Sequence, residues 1–313
     1  MHKKYWFYIL LISCLIFYFK IRNVMSIKAD NFHIEDIASV DKIFLADRNG
    51  NTITLKKNTD HWITNNQYVV RKDAISTLLS TANNIRIKKP VSKSSFENVV
   101  KYIITSGVLV EFFVEDKIIK SYTIGSNTSD HLGNYMLLNG SKTPHVVHIP
   151  FFNGFLSPRY GIQGNTLNLN NWRSNLVFNL SFEDITKIKY TDYFNDSNSY
   201  FLTTKPLKLF NTRKKNVEID NNKVFHLLNS FKNLHCEAFK ERNDSINLID
   251  PLEQLIVNDD TLRTYKVSTL NINNDGEKFN VSRKYATINN GELMLIQDYV
   301  FNKVLINISD LIK

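Results

Sequence analysis

Two histidines separated by two valines have the residue types and spacing of a metal site. His145 and His148 stand three positions apart, and two imidazoles at that spacing can bind one zinc ion from a helix or a loop. The run from His145 to His148 has the β-branched composition of a strand, however. Residues an odd number apart on a strand point to opposite faces. We therefore expect no metal site here, and no residue pattern in the sequence indicates a cofactor.

Ser129, Asp130 and His131 are the residue types of a hydrolytic triad, but they are consecutive. Three neighbours in sequence rarely converge as nucleophile, base and orienting group, so a polar loop is the simpler interpretation. Asp47 and Asp192 recur within a repeated pattern, and their position at predicted strand ends favours turn geometry over an acid–base pair. The sequence also contains no P-loop, dinucleotide fingerprint, H-E-x-x-H or G-x-S-x-G motif. We therefore predict no catalytic residues and a non-enzymatic protein.

The composition is typical of a folded protein rather than a disordered one. The chain has 313 residues, of which 43% are hydrophobic and 12% aromatic, and this length is enough for two domains of about 100 to 150 residues. A net charge of +9 would suit an anionic partner such as nucleic acid. The basic residues alternate with acidic ones along most of the chain, as on a solvated surface. We therefore expect no nucleic-acid partner.

Alternating apolar residues and turn signals predict an α+β fold with an antiparallel sheet. Hairpin turns are expected at Asn49-Gly50, Glu115-Asp116 and Asn139-Gly140. Helical spacing predicts a helix capped by Asp73 and a second helix over residues 96–104 that ends at Gly107. A short helix is expected over residues 151–156. The predicted strands of the first half are residues 42–46, 52–55, 62–65, 108–114, 118–124, 135–138 and 146–149.

Corresponding sequence landmarks predict that the chain contains the same unit twice. Residues 40–47 (VDKIFLAD) return as residues 185–192 (ITKIKYTD), and the later landmarks follow at a nearly constant distance of 145 to 150 residues. Small loop insertions explain such drift, so we predict two tandem repeats of an antiparallel-sheet-plus-helices unit. The predicted boundaries are residues 29–162, a connector at 163–180, and residues 181–313. Pro251 interrupts the counterpart of the 96–104 helix.

The two predicted copies differ most in three polar and aromatic segments of the first copy. These are the loop at 125–133, the two histidines, and residues 151–160, which have no like-for-like counterpart in the second copy. A duplicated scaffold often carries its contact surface where one copy has diverged, although structural drift produces the same asymmetry. The residues predicted to bind a partner are Ser129, Asp130, His131, His148, Phe155, Arg159 and Tyr160.

The N-terminus carries an uncharged apolar run at residues 5–19, bounded by lysines and an arginine. A helix of that length is about 22 Å long and a bilayer core about 30 Å thick, but Lys20 and Arg22 can snorkel and lengthen the span. No A-x-A-like cleavage site follows, so we predict an uncleaved signal anchor over residues 1–28. The alternative is lipidation of Cys14, because residues 11–14 (LISC) have the form of a lipobox. The apolar residues that continue past Cys14 weigh against it.

Seven segments together resemble the bacterial family described as domain of unknown function 4340. They are residues 40–47, Trp62 with Asn65, and residues 122–125, 133–136, 144–150, 154–160 and 172–173. The resemblance implies a protein that is anchored in or exposed to the cell envelope, in some relatives beside gliding-motility-type transporter components. It implies no catalytic residues.

Taken together, these patterns predict a single-pass protein of the bacterial inner membrane with the bulk of the chain in the periplasm. A signal anchor at the extreme N-terminus usually leaves its short end inside, which places residues from about 30 onward outside. The expected role is that of a scaffold or accessory subunit that binds another envelope protein or transporter component. The alternative is a hydrolase or binding module acting on an envelope glycan or peptide, which would require convergent carboxylates or a Ser and a His brought together in a cleft.

Overall fold

The computed structural model describes residues 31–242, 246, 248–267, 271–272, 278–279 and 282–313. The predicted anchor at residues 1–28 lies outside the described residues. Within the described ranges, no helix combines the length and the apolar character that crossing a bilayer requires. The fold is α+β, as predicted, and the described residues are rich in sheet with few helices.

The chain divides into two compact units, with Ser174 at the end of the first and Asn175 at the start of the second. Each unit has its own apolar core. The residues predicted as a connector, 163–180, are divided between the units. Trp172 is buried in the first core and Phe178 in the second. The polar, Asn-rich composition of this segment reflects short turns that fold onto the two units.

The described part of the first unit contains one nine-stranded sheet, in which neighbouring strands are antiparallel. The strand order is β4-β3-β2-β1-β6-β7-β8-β9-β5. The predicted turn at Glu115-Asp116 is confirmed, because both residues have positive φ, 49° and 61°, as a type I′ hairpin requires. The strands are β1 (Lys42–Ala46), β2 (Thr52–Lys57), β3 (Trp62–Thr64), β4 (Tyr68–Val69), β5 (Arg86–Pro90), β6 (Val108–Val114), β7 (Lys117–Asn127), β8 (Asn134–Leu138) and β9 (His145–His148).

Two helices accompany this sheet. Helix α1 (Lys72–Asn84) contributes Leu78 and Ala82 to the core, and helix α2 (Lys93–Ser106) lies against β7 and β8. The prediction that Asp73 caps α1 is wrong. Arg71 is the N-cap residue, and Asp73 lies in the first turn, where its charge favours the helix dipole. Helix α2 ends at Gly107 as predicted.

Two further differences from the predictions concern β5 and residues 151–156. Strand β5 was missed because it is an edge strand whose residues are mostly exposed and include Pro90, so it shows no apolar alternation. The predicted helix over residues 151–156 is absent. Phe151 has a positive φ of 64° and Gly154 one of 153°, which a right-handed helix does not accommodate. A short 3-10 helix (Ser157–Tyr160) follows instead, and then the hairpin β10 (Ile162–Gln163) and β11 (Thr166–Leu167).

The second unit also contains a nine-stranded antiparallel sheet within its described residues, in the order β16-β15-β14-β13-β19-β20-β23-β24-β18. Helix α3 (Asn221–Asn229) is capped by Asp220 and buries Leu227 and Leu228, and helix α4 (Asp298–Phe301) follows the last strand. The strands are β12 (Leu176–Phe178), β13 (Lys187–Asp192), β14 (Tyr200–Thr204), β15 (Leu207–Asn211), β16 (Asn216–Val217), β17 (Leu234–His235), β18 (Ala238–Lys240), β19 (Glu253–Val257), β20 (Asp260–Lys266), β21 (Asn271–Ile272), β22 (Lys278–Phe279), β23 (Arg283–Ile288) and β24 (Leu293–Gln297).

Asp47 and Asp192 organise turns, as predicted. Asp47 follows β1, and its carboxylate accepts hydrogen bonds from the backbone of Asn49 and Asn51 at 2.9 and 3.0 Å. Burial on its own would raise the pKa of Asp47, but the amide donors of Asn51 and the backbone of Leu167 outweigh it and the net pKa is lowered. Asp192 ends β13 and accepts in the same way from the backbone of Phe194 at 2.9 Å.

Candidate functional site: a cleft in the first unit

The first unit contains a cleft of about 700 Å³, within the usual size range of ligand-binding clefts. Its lining comes from four segments: the start of helix α1, the end of β7, residues 155–164 with the 3-10 helix, and residues 171–172. Helix α1 and the 3-10 helix are in direct contact. The lining residues are Arg71, Asp73, Ala74, Thr77, Asn127, Phe155, Ser157, Pro158, Arg159, Gly161, Ile162, Gln163, Gly164, Asn171 and Trp172.

A buried asparagine holds the cleft loop against the sheet. Asn134, on β8, is 0% exposed. Its amide nitrogen donates to Gly125 O at 3.1 Å and to Ser157 Oγ at 2.7 Å, and its oxygen accepts from Leu156 N at 2.7 Å. Ser157 Oγ in turn donates to Asn127 Oδ1 at 3.2 Å. Because the buried polar groups satisfy one another, this network fixes the chain at Leu156 and Ser157, directly after Phe155.

A tryptophan packs against the same loop from the other side. Trp172 is 1% exposed, and its carbonyl oxygen accepts from Arg71 N at 2.8 Å at the start of helix α1. Gly161 lies against the indole ring at a positive φ of 67°, and a Cβ added there would come within 2.7 Å of Trp172 Nε1. The lack of a side chain therefore allows the loop and the indole to approach closely.

The charged residues of the cleft are two arginines and one aspartate. Arg71 and Asp73 form a bidentate pair: Nε donates to Oδ1 at 3.1 Å and Nη2 donates to Oδ2. This pair raises the pKa of Arg71 and lowers the pKa of Asp73. Arg159 donates from Nε to Thr81 Oγ1 at 2.7 Å, and its guanidinium lies 5.0 Å from the ring of Phe152. The cleft therefore carries a net positive charge.

The structure brings two of the predicted binding residues, Phe155 and Arg159, into this cleft. Tyr160 is their neighbour in sequence but is fully buried in the first core, where its hydroxyl lies 2.8 Å from that of Tyr122. Burial raises the pKa of Tyr160. The prediction that Tyr160 belongs to a contact surface is corrected accordingly, because its ring packs inside the unit.

The four other predicted residues do not line the cleft, and one of them, His131, contacts a residue that does. The ring of His131 contacts that of Phe155 edge-on, with 5.3 Å between centroids. Asp130 binds Lys88 Nζ at 3.1 Å, and hydrogen bonds from Thr128, the backbone of Leu132 and Lys88 hold the pKa of its carboxyl well below the usual range. Burial and the charge of Lys88 lower the pKa of His148, against a smaller opposite effect of Asp130. Ser129 is exposed in the same loop.

These contacts do not assemble a hydrolytic triad from residues 129–131. The oxygens of Asp130 accept from Thr128, Leu132 N and Lys88, whereas the ring of His131 packs on Phe155. The hydroxyl of Ser157, which lines the cleft, is hydrogen-bonded to the side-chain amides of Asn127 and Asn134 and not to a histidine. Within the described ranges, no group of three or more His, Cys, Asp or Glu side chains could hold a metal ion.

Sequence reasoning missed the residues that hold the cleft together, namely Thr81, Asn134 and Trp172. Thr81 occupies a core-facing position of α1 between Leu78 and Ala82, and Asn134 faces the core on β8 in phase with Met136. A polar residue in the apolar phase of a helix or strand is buried only when it has partners. That signal was present in the sequence and could have identified both residues.

Comparison with known proteins assigns the chain to a family. A search of curated proteins and a search of solved structures both find no significant match. The family model described as "Domain of unknown function (DUF4340)" matches residues 62–251. The match begins in β3 of the first unit, includes the cleft and extends into the second unit. Because it spans more than half of the sequence, the chain belongs to the DUF4340 family.

Proposed function

We propose that this protein is a non-enzymatic scaffold of the bacterial cell envelope that binds another envelope protein or a transporter component through the cleft of its first unit. The N-terminal apolar run anchors it in the inner membrane, and the two units lie in the periplasm. The observation that carries the proposal is the cleft itself. It combines a fixed, partly buried arginine, Arg159, with the half-buried ring of Phe155 and with exposed amides such as that of Gln163. Such mixed lining is typical of sites that bind a ligand in one orientation.

We further propose that the two units are tandem copies. The strand order of the two sheets supports this, since β1 and β13 both hold the fourth place from one edge. The turns after these strands also correspond, because Asp47 and Asp192 accept the same kind of backbone hydrogen bonds. In the described residues between β18 and β19, the second unit has no counterpart of helix α2, and Pro251 lies there.

The described residues of the second unit contain no counterpart of the loop that lines the cleft of the first unit. In the first unit, the lining comes from the loop after β9, which includes Phe155 and Arg159. In the second unit, β24 is followed directly by helix α4. A duplicated fold in which one copy supplies structure and the other copy supplies a contact surface is consistent with a scaffold role.

The topology of this proposal predicts the behaviour of a reporter fused after Lys313. An alkaline phosphatase that is active only after export should be active in this fusion, because residues from about 30 onward are expected outside the cytoplasm. Activity is measured in intact cells and normalised to the amount of fusion protein. A matched fusion of a reporter that is active only in the cytoplasm should be inactive. The opposite pattern would place both units in the cytoplasm and reject an envelope scaffold.

A further inference from the structure

The cleft of the first unit contains a guanidinium without an acidic partner. Arg159 is half-buried, and no described carboxylate lies within ion-pair distance of it. Its one side-chain hydrogen bond within the described residues is that from Nε to Thr81 Oγ1, at 2.7 Å. Both terminal nitrogens, Nη1 and Nη2, therefore have donors available. A partly desolvated cation with unused donors is a natural site for an anion.

Arg159 is also held in place before any ligand arrives. Thr81 is 0% exposed, and its hydroxyl donates to Thr77 O at 2.6 Å, so its lone pairs remain available to accept from Arg159. The ring of Phe152 lies 5.0 Å from the guanidinium carbon and restricts it from a second side. Two contacts of different kinds thus orient the planar group. Such preorganisation reduces the entropy lost on binding.

The remaining charges determine how much negative charge the cleft can balance. Arg71 and Asp73 form a bidentate pair and neutralise each other. Arg159 is then the single unbalanced charge among the cleft residues, and it matches one negative charge. A carboxylate carries one charge and presents two oxygens to the fork of an arginine. A phosphate monoester carries about 1.5 to 2 negative charges at pH 7, more than this cleft balances.

The residues near Arg159 suit a peptide. The half-buried ring of Phe155 provides apolar contact area in the same cleft. Gln163 has an exposed side chain at the rim, and an amide can both donate to and accept from a peptide backbone. Resting on the proposed function, we propose that the cleft binds the free carboxylate of a peptide segment, which pairs with Nη1 and Nη2 of Arg159.

The test uses the full chain in detergent micelles and two pools of tetrapeptides that lack Asp and Glu. One pool ends in a free carboxylate and the other in a carboxamide. Peptides retained by the immobilised protein are measured by mass spectrometry. We expect free-carboxylate peptides to be enriched at least about tenfold over amidated ones, since charge-assisted hydrogen bonds are the stronger kind. The comparison on the parent protein requires no substitution.

Variants then assign the effect to the cleft. Arg159→Gln should abolish the enrichment, and Arg159→Lys should retain only part of it because the ammonium lacks the fork. Arg48→Gln removes the same charge from an exposed position of the same unit, outside the cleft lining, and should leave the enrichment unchanged. Circular dichroism of each variant checks that the fold is retained.

Four results would overturn the inference. Equal retention of both pools would show that the carboxylate is not recognised, although binding of peptides would still agree with the proposed function. Enrichment that survives in Arg159→Gln would place the carboxylate elsewhere. Displacement of bound peptides by inorganic phosphate, at a concentration at which acetate has no effect, would identify a phosphate site. Failure of both pools to bind would count against the inference and against peptide binding by the cleft.

Discussion

Replacing Trp172 with alanine is expected to lower the free energy of unfolding of the first unit by about 3–5 kcal/mol. The indole is 1% exposed and belongs to the first core, so its loss leaves a large cavity beside Gly161 and the start of helix α1. The surrounding backbone cannot fill that volume. Hydrogen exchange, followed peptide by peptide, measures the opening free energy of each unit separately.

The matched control for this prediction is Trp172→Phe. The indole Nε1 has no hydrogen-bond partner among the described residues. Phenylalanine therefore removes a buried polar atom without breaking a hydrogen bond. We expect Trp172→Phe to lower the free energy of unfolding much less than Trp172→Ala does. Peptides of the second unit should keep their protection in both variants, because that unit has its own core. An equal loss of protection in both units would contradict the description of two separate cores.

Asn134→Ala is expected to destabilise the first unit by about 2–4 kcal/mol. The change removes hydrogen bonds to Leu156 N, Ser157 Oγ and Gly125 O, and each buried group left without a partner costs about 1–3 kcal/mol. The effect should be strongest in the loop that carries Phe155 and Arg159, because this network ties it to β8. Hydrogen exchange of peptides covering residues 150–164 measures that effect directly.

Asn153→Ala is the matched control for Asn134→Ala. Asn153 lies exposed in the same loop, and a surface substitution of this kind normally changes stability by less than about 0.5 kcal/mol. If Asn153→Ala lowers the stability of the loop as much as Asn134→Ala does, the loop is sensitive to any substitution. In that case, the buried amide network could not be the reason why the cleft keeps its shape.

The parts of the fold that could be predicted from the sequence are those with local signals. The strand at Lys42–Ala46, the Glu115-Asp116 turn and the end of α2 at Gly107 all follow from short patterns. Strand β5 could not be predicted, because its pairing partner β9 lies far along the chain and its own residues are mostly exposed. An edge strand of this kind gains order from the sheet rather than from its sequence.

The candidate site shows the same division between local and tertiary information. Phe155 and Arg159 were predicted because they lie in a segment that one half of the chain lacks, and both line the cleft. Tyr160 was predicted with them, but it is the last residue of the 3-10 helix and its ring is buried in the core. The amide network of Asn134 joins segments more than twenty residues apart. No local pattern indicates such a contact. The sequence signal for it is that Asn134 occupies a core-facing position of β8.

The measurement that tests the central claim most directly is photocrosslinking in intact cells, with a photoreactive amino acid at Gln163, an exposed residue at the cleft. The account predicts one discrete crosslinked envelope protein. This product should disappear in Arg159→Gln, persist in Arg48→Gln and be absent when the photoreactive group is placed at Lys208, which is exposed in the second unit. A product that persists unchanged in Arg159→Gln, or one captured from Lys208 and not from Gln163, would contradict binding through the cleft of the first unit.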